Sequence, residues 1–293
     1  MPGDAATLTL IAITLFAATV NGALGYGFSS LTVPVAVLFY AGRVLNPVLV
    51  LVELVVNGYA LVINRHSLPR VWKRALPIIG GLVPGVMLGS LLLSAVNPGV
   101  VKVLTYAVIL PLILLQAAGY RRYIHAERTV GLPLGVGIGV LYSLTTISGP
   151  PLALMLNNQG FVREDFRATL ALIRIAESLL TATAYACLGL YTLQTGSLLG
   201  LIVPSVLLGL PLGALLIRRI AAETFRRICM SFDAWVVGFG FSRTMIDLGM
   251  LGDPEAYVLL VMAATIDLVL LTRFLLARHR GDLAWKPAFH SGH

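Results

Sequence analysis

The sequence contains few charged residues. Only 12% of its 293 residues are Asp, Glu, Lys or Arg, whereas a soluble domain carries about 25%. It has just two cysteines, Cys187 and Cys229, too far apart for a metal spacing and too few for a disulfide framework. Long apolar runs take the place of the missing charge, and 58% of the residues are hydrophobic. These features exclude an ordinary soluble domain and predict an all-α polytopic membrane protein.

Other absences narrow the class further. No His, Cys or carboxylate cluster in the apolar runs has catalytic or metal-ligand spacing, and all five histidines lie in predicted loops or the tail. We therefore expect no enzyme activity, no catalytic residue, no metal and no cofactor. The N-terminal MPGDAAT lacks the Lys and Arg of a signal peptide, so we expect the first segment to be retained. The net charge of +8 lies in short loops, which favours membrane orientation over nucleic-acid binding.

Apolar runs reach the roughly 20 residues of a membrane-spanning helix in seven places. They are 44–64, 75–95, 100–119, 168–191, 197–217, 227–249 and 255–277. Two further segments, 7–41 and 130–158, are interrupted by the polar stretches NGALGYGFSSLTVP (21–34) and YSLTTISGPP (142–151). With arms of about 10–14 residues, or roughly 15–21 Å, neither half would span the membrane. Both segments are therefore predicted to be hairpins that enter and leave on the same side.

The basic residues lie mainly in alternate loops, which places those loops in the cytoplasm by the positive-inside rule. This predicts an N-terminus outside and a C-terminus in the cytoplasm. Three pairs of blocks also resemble each other in order along the chain. They are Gly27–Tyr40 with Leu144–Asn157, Val50–Leu61 with Ala171–Ala182, and Gly89–Leu104 with Gly213–Ile228. The first register places Pro34 over Pro151, and the second places Glu53 over Arg174.

These blocks predict two inverted-topology repeats, 1–119 and 120–249, each a broken hairpin followed by three spans. An additional transmembrane helix at 250–277 and a cytoplasmic tail at 278–293 would follow. Inverted repeats that contain broken segments are typical of secondary transporters. The glycines of GVGIG (135–139) are instead expected to let helices pack closely, because no strand precedes them.

The two polar stretches are the predicted substrate site. Half-helices beginning near Phe28 and near Gly149 would point their N-termini, with free N–H groups and partial positive charge, at an anion. Neighbouring hydroxyls and one arginine would add donors. The candidate substrate-binding residues are Asn21, Tyr26, Gly27, Phe28, Ser29, Ser30, Thr145, Thr146, Ser148, Gly149, Arg174 and Ser178.

Arg174 is the most informative single residue, because an arginine inside an apolar span is expensive and is a functional hypothesis by default. It shares a helix face with Glu177, Ser178 and Thr181. Two interpretations stay open here. Arg174 either forms a structural ion pair with Glu53 or binds an anionic substrate. In the second case Glu53, Asn57 or Glu177 would balance its charge or carry a coupled proton.

The other embedded charges are expected to play local roles. Asp233 is predicted to pair with the nearby Arg226/Arg227 cluster, and Asp165 to cap the helix that carries Arg174. Arg243 and Asp247 are four residues apart, which favours an exposed helix-surface pair.

Several motifs over nearly the whole chain resemble the sulfite exporter TauE/SafE family, also called the toluene sulfonate uptake permeases. The motifs are Gly22, Gly25, Gly27 and Pro34 in the first stretch, then SGPPLAL, GFVREDFRATLALI, GLVPGVMLGSLLL and VLLGLPLGALLI. The resemblance implies a bacterial inner-membrane protein that moves a sulfur-containing or organic anion by alternating access, without ATP. The chain departs from the family's glycine-richest form at Tyr26 and at 28–30, where an aromatic ring could pack against an organic tail.

The sequence thus predicts a transporter of a small sulfur oxyanion, either sulfite or a sulfonate such as sulfoacetate. An anion channel and a carrier of organic carboxylates are the alternatives. The expected partners are the anion, a coupled proton or other ion, and the lipid bilayer. The sequence leaves a homodimer open.

Overall fold

The computed structural model describes residues 4–118, 127–157, 163–217, 219 and 222–279. Eleven α-helices and two short 3-10 turns (Arg65–Ser67 and Glu255–Tyr257) make up the described regular structure, without a strand. The helices are α1 (Asp4–Leu24), α2 (Phe28–Ala36), α3 (Gly42–Ile63), α4 (Leu68–Ala95), α5 (Pro98–Ala117), α6 (Glu127–Thr145), α7 (Gly149–Asn157), α8 (Arg163–Cys187), α9 (Leu193–Leu216), α10 (Ala222–Asp247) and α11 (Val258–His279). The predicted tail from 280 onward lies outside the described residues.

Seven of the described helices are long and apolar enough to cross a membrane. They are α1, α3, α4, α5, α8, α9 and α11. The prediction of an all-α, multi-pass membrane protein is therefore confirmed. Helix α10, which covers the predicted span 227–249, is not among the seven, and it carries Arg227, Asp233 and Arg243 along its length.

Each of the two broken segments consists of a long helix followed by a short one. Their first arms, α1 with 21 residues and α6 with 19, are much longer than the short arms that the sequence led us to expect. At 1.5 Å per residue α1 reaches about 31 Å, whereas the nine-residue α2 and α7 reach about 14 Å. The expectation was wrong because the polar stretches overlap the ends of the helices. The actual breaks are only 25–27 and 146–148.

Each break begins at a residue with left-handed backbone. Gly25 has a φ of 86° and Thr146 a φ of 57°, and each N–H donates to the carbonyl four residues earlier, in Asn21 and Tyr142. A left-handed residue ends an α-helix while still satisfying one of its last carbonyl oxygens. Glycine accepts this conformation without strain, but a β-branched threonine does not.

Glycines let two helix pairs approach unusually closely, α4 with α6 and α1 with α9. A Cβ added at Gly81 or Gly85 of α4 would overlap backbone carbonyls of α6, and one at Gly213 of α9 would overlap the carbonyl of Thr19 in α1. In GVGIG, Gly135 and Gly139 face α4 in the same way, as predicted, whereas Gly137 faces open space. These contacts hold α1 and α6, and so the breaks that follow them, against the opposite halves of the chain.

The apolar core surrounds the breaks. One cluster of buried side chains joins α1, α2, α3, α5, α9 and α10, and a second joins α4, α6, α7 and α8. Within the described residues, the polar atoms at the breaks are therefore enclosed by packed aliphatic and aromatic groups.

Candidate functional site

The two helix breaks lie against each other. The side chain of Tyr26, in the first break, lies about 4.0 Å from where a Cβ would stand on Gly149, the first residue of α7. Helix α2 begins at Phe28 and α7 at Gly149, close to where the sequence predicted both half-helices to begin. The N-termini of the two short helices thus meet inside the protein.

The two N-termini do not offer the same number of donors. In α2 the helical hydrogen bonds start with Leu31 donating to the carbonyl of Gly27, so the N–H groups of residues 28–30 lie outside the ladder. In α7 the second and third residues are Pro150 and Pro151, which have no N–H. Gly149 is therefore the main backbone donor of α7, and α2 is the stronger of the two anion-attracting ends.

A buried ion pair lies directly behind the N-terminus of α2. Oε1 of Glu53, on α3, accepts hydrogen bonds from Nη2 of Arg174, on α8, and from the hydroxyl of Ser29. Its other oxygen, Oε2, accepts a hydrogen bond of 2.9 Å from the hydroxyl of Tyr142. Glu53 is fully buried and Arg174 is 1% exposed. The structure therefore contains the ion pair that the sequence left as one of two interpretations.

Two nitrogens of the Arg174 guanidinium make no hydrogen bond within the described residues. Its Nε and Nη1 have no hydrogen-bond partner among the described residues, although both atoms are buried. A buried guanidinium normally uses its planar fork of donors fully, because an unsatisfied charged donor loses its hydration without compensation. The donors of Nε and Nη1, on either side of the bonded Nη2, are thus left for a group that Glu53 does not supply.

The polar face of α8 is buried along its length. Ser178 lies 2.7 Å from the hydroxyl of Tyr142, and Ser148 donates a hydrogen bond of 2.6 Å to Oε2 of Glu177. Oε1 of Glu177 has no hydrogen-bond partner in the described part of the chain. Ser29 and Ser148 thus connect both breaks to acidic residues of the central helices.

All twelve predicted substrate residues are buried, but they do not all point to one place. The hydroxyls of Ser30, Thr145 and Thr146 donate to the carbonyls of Gly27, Leu141 and Thr145, respectively. These three hydroxyl protons are therefore used within the backbone rather than offered to a ligand. Asn21 and Asn57 are also buried. Within the described residues, Oδ1 of Asn21 and Nδ2 of Asn57 have no hydrogen-bond partner.

Three residues near the breaks were missed by sequence reasoning. Tyr142 bridges Glu53 and Ser178, Asn46 donates to the carbonyl of Leu144 at 2.7 Å, and Arg167 donates to the carbonyl of Ala23 at 2.9 Å. Arg167 satisfies a carbonyl at the C-terminal end of α1. The signal for Tyr142 was its place at the start of the second polar stretch.

A cavity opens beside the N-termini of both short helices. Its lining comes from the first break, α5, α7 and α10, with apolar residues between, and includes Tyr26, Gly27, Ser30, Gln116, Pro150, Arg226, Cys229 and Asp233. Gln116 is 6% exposed and Asp233 is 7% exposed. Within the described ranges, neither Nε2 of Gln116 nor Oδ1 of Asp233 has a hydrogen-bond partner. The cavity therefore combines helix N-termini with one spare donor and one spare acceptor.

The remaining embedded charges differ from expectation in two cases. Arg227 pairs with Asp267 of α11 at 2.8 Å rather than with Asp233, so the predicted local pairing of Asp233 is wrong. Asp165 does not cap α8. It lies in the first turn of that helix and bonds Arg70 at 2.9 Å. The exposed Arg243–Asp247 pair is as predicted, at 3.4 Å. The described residues contain no group of three or more potential metal ligands.

Comparison with known proteins identifies the family of this chain. No curated protein and no solved structure matches it. The family model of the sulfite exporter TauE/SafE matches residues 10–240, a range that includes both breaks, Glu53, Arg174 and Asp233. The chain therefore belongs to the sulfite exporter TauE/SafE family, whose members are membrane transporters of sulfur-containing anions.

Proposed function

We propose that this protein is a secondary transporter of a small sulfur oxyanion, sulfite or an organosulfonate such as sulfoacetate, that works by alternating access. The single observation that carries the proposal is Arg174, fully buried beside the first helix break with two of its three nitrogens unpartnered in the described structure. A sulfonate or sulfite group presents several oxygens on one centre, which suits the fork of donors on a guanidinium.

The N-terminus of α2 is the second half of the anion site. Ser29 belongs to its first turn and shares Oε1 of Glu53 with Arg174, so the helix end and the guanidinium lie close to one carboxylate oxygen. Free N–H groups and the positive end of the helix dipole favour an anion there. In this proposal α7 contributes the N–H of Gly149, while Glu177 holds Ser148 and Ser178 holds Tyr142 in place.

Glu53 balances the charge of Arg174 when no substrate is bound. A lone guanidinium in the membrane interior would be strongly unfavourable, and the ion pair removes most of that penalty. The entering anion then meets Nε and Nη1 without first having to break the bond to Glu53. Tyr26, whose ring lines the cavity, is the aromatic residue available to an organic tail.

The two-repeat arrangement is supported by a constant register. Arg174 follows Glu53 by 121 residues. The same interval separates the left-handed residues Gly25 and Thr146, and also the first residues of α2 and α7, Phe28 and Gly149. The alignment of Pro34 with Pro151 differs from this register by four residues, about one helical turn.

The packing supports the same relation. Helix α1, from the first half, pairs with α9, and α6, from the second half, pairs with α4. If α1 corresponds to α6 and α4 to α9, the pair α1–α9 and the pair α4–α6 are the same contact, made once from each half of the chain. We propose that the repeats 1–119 and 120–249 are inverted, and that rocking of one against the other exposes the site alternately. The N-terminus then lies outside a bacterial inner membrane and the C-terminus in the cytoplasm.

Binding is tested by a thermal-shift screen of the purified full chain against sulfite, sulfate, thiosulfate, sulfoacetate, taurine and acetate. Sulfite or sulfoacetate should give the largest stabilisation. Arg174→Gln should remove that stabilisation, and Arg174→Lys should retain only part of it, because a lysine cannot present a planar fork. An Arg174→Gln variant that still responds to the preferred anion like wild type would exclude Arg174 as a ligand.

Transport is tested by counterflow in proteoliposomes, in which unlabelled internal anion drives uptake of the labelled anion. A carrier shows counterflow and saturation. An anion channel gives electrical conductance without counterflow, and strong counterflow with acetate would favour a carboxylate carrier.

A further inference from the structure

The buried charges of the described residues do not balance. Six Asp, Glu or Arg side chains are buried there, four acids and two arginines. The two arginines are used in the ion pairs Glu53–Arg174 and Asp267–Arg227. Glu177 and Asp233 remain without an ion-pair partner in the described part of the chain. Because an isolated carboxylate is expensive inside a membrane protein, each of these two acids is under pressure to bind a proton.

Only one of the two borders the substrate cavity. Asp233 lines the cavity together with Tyr26, Gly27 and Ser30 of the first break and Pro150 of α7. Glu177 does not line that cavity, and its Oε2 is held by Ser148. Asp233 is therefore the unpaired acid that a proton can reach through the same space as the anion.

The groups that face Asp233 do not neutralise it. Cys229 and the partly buried Arg226 line the cavity from its own helix, Ser30 from α2, and Gln116 from α5. No ion pair joins Asp233 to Arg226 among the described residues, and the acid of α11, Asp267, is bonded to Arg227 and to Trp235. The environment of Asp233 is thus a helix N-terminus, the neutral polar groups of Ser30 and Gln116, apolar side chains and the guanidinium of Arg226, which is not ion-paired with it.

We propose that Asp233 binds the proton that couples to anion transport. The inference rests on the proposed function, since it takes the cavity at the helix breaks as the entry to the anion site. A carboxylate and an oxyanion repel each other strongly in a small, poorly hydrated space. The anion therefore enters favourably when Asp233 is protonated, and its presence raises the affinity of Asp233 for that proton by the reciprocity of linked binding. Proton and anion then cross together.

The test uses the full chain in proteoliposomes with the membrane potential clamped at zero, and labelled sulfite and labelled sulfoacetate as parallel probes. Two measurements are made on each protein, counterflow without a pH gradient and net uptake driven by an imposed gradient. For one coupled proton, a gradient of one pH unit supports at most about tenfold accumulation. Wild type should approach that limit, and Asp233→Asn should keep its counterflow while losing the pH-driven accumulation.

Two matched variants control the result. Asp247→Asn removes an exposed carboxylate at the far end of the same helix and should accumulate like wild type. Glu177→Gln removes the other unpaired acid. Its counterflow rate can fall, because Glu177 holds Ser148, but its pH-driven accumulation should still approach the limit of wild type. The proposal is overturned if Asp233→Asn accumulates like wild type, if it folds but loses counterflow, or if only Glu177→Gln uncouples transport. An absence of counterflow in wild type with every anion would instead refute the proposed function.

A measurement on wild type keeps the proposal testable if Asp233→Asn does not fold. Sulfoacetate keeps the same charge across neutral pH, so any proton exchange on binding belongs to the protein. Adding it to lightly buffered wild-type protein in detergent should take up as much as one proton per bound anion at the pH of largest uptake. Proton-independent binding over the neutral range would contradict the proposal.

Discussion

Glu53 and Arg174 form a buried ion pair between α3 and α8 and are 121 residues apart, the interval that also separates the left-handed residues Gly25 and Thr146. The pair joins the two halves where they meet, next to the break that begins α2.

The first prediction separates the structural role of this pair from its role in binding. Arg174→Gln or Glu53→Gln alone leaves an uncompensated buried charge, which should lower the free energy of unfolding by about 3–5 kcal/mol. The double variant removes both charges and should recover most of the stability without recovering anion binding. Thermal unfolding with and without sulfite measures both effects, and a double variant that still binds would refute the role of Arg174.

The matched control for that prediction is the second buried pair, Arg227–Asp267. The double variant Arg227→Gln with Asp267→Asn also removes one buried pair, between α10 and α11. It should keep the anion-induced thermal shift of wild type, because neither residue borders the cavity at the breaks. Loss of the shift in both double variants would mean that binding merely follows stability.

Tyr142 should matter more than an ordinary buried tyrosine. Tyr142→Phe leaves Oε2 of Glu53 without its donor and Ser178 without its partner, which should cost about 1–3 kcal/mol of stability. Because Glu53 positions Arg174, anion affinity should fall as well. Tyr191→Phe, which removes only a long hydrogen bond of 3.4 Å to the carbonyl of Ala182, should change neither quantity. Equal effects in the two variants would contradict the bridging role of Tyr142.

Adjacent glycines of α4 provide a test of helix packing. An added methyl group at Gly81 would overlap the carbonyl of Leu132 in α6, whereas at Gly80 it would meet nothing within 4 Å. Gly81→Ala should therefore cost about 1–3 kcal/mol through overpacking. Gly80→Ala should be neutral or stabilising by up to about 1 kcal/mol, since alanine favours the helix. Similar melting temperatures for the two variants would be inconsistent with the close approach of α4 and α6.

Substitution of Thr146 by glycine tests the strain of the left-handed backbone at the second break. The left-handed conformation costs a residue with a Cβ about 1–2 kcal/mol, and glycine at position 146 would remove that cost. Glycine offsets about 0.5–1 kcal/mol of this gain, because its unfolded state has more conformational freedom. Thr146→Gly also loses the hydrogen bond of its hydroxyl to the carbonyl of Thr145, so its melting temperature should stay close to that of wild type. Thr145→Gly should lower it, because the hydroxyl of Thr145 bonds Leu141 and Ile147 at the break. A lower melting temperature for Thr146→Gly than for Thr145→Gly would argue against backbone strain at this position.

The sequence was sufficient for the membrane-spanning character and for the location of the breaks. Apolar length is a local property, and so is the power of Gly25 to end a helix, so both can be read without knowing the fold. It misjudged the length of α1 and α6, because the polar residues that mark the breaks extend into the helix ends. Asn21 and Tyr142 belong to helices, although they form part of the polar stretches.

The choice of ionic partners was decided by the tertiary structure. The sequence alone identified Arg174 as a buried arginine but offered both an ion pair and a substrate as its partner, and it assigned Asp233 to the nearest arginines in the chain. Packing of α10 against α11 directs Arg227 to Asp267, and Asp233 lines the cavity without an ion-pair partner among the described residues. Hydrophobic periodicity fixes which residues a helix buries, whereas only the contact between helices distant in sequence fixes which buried charges meet.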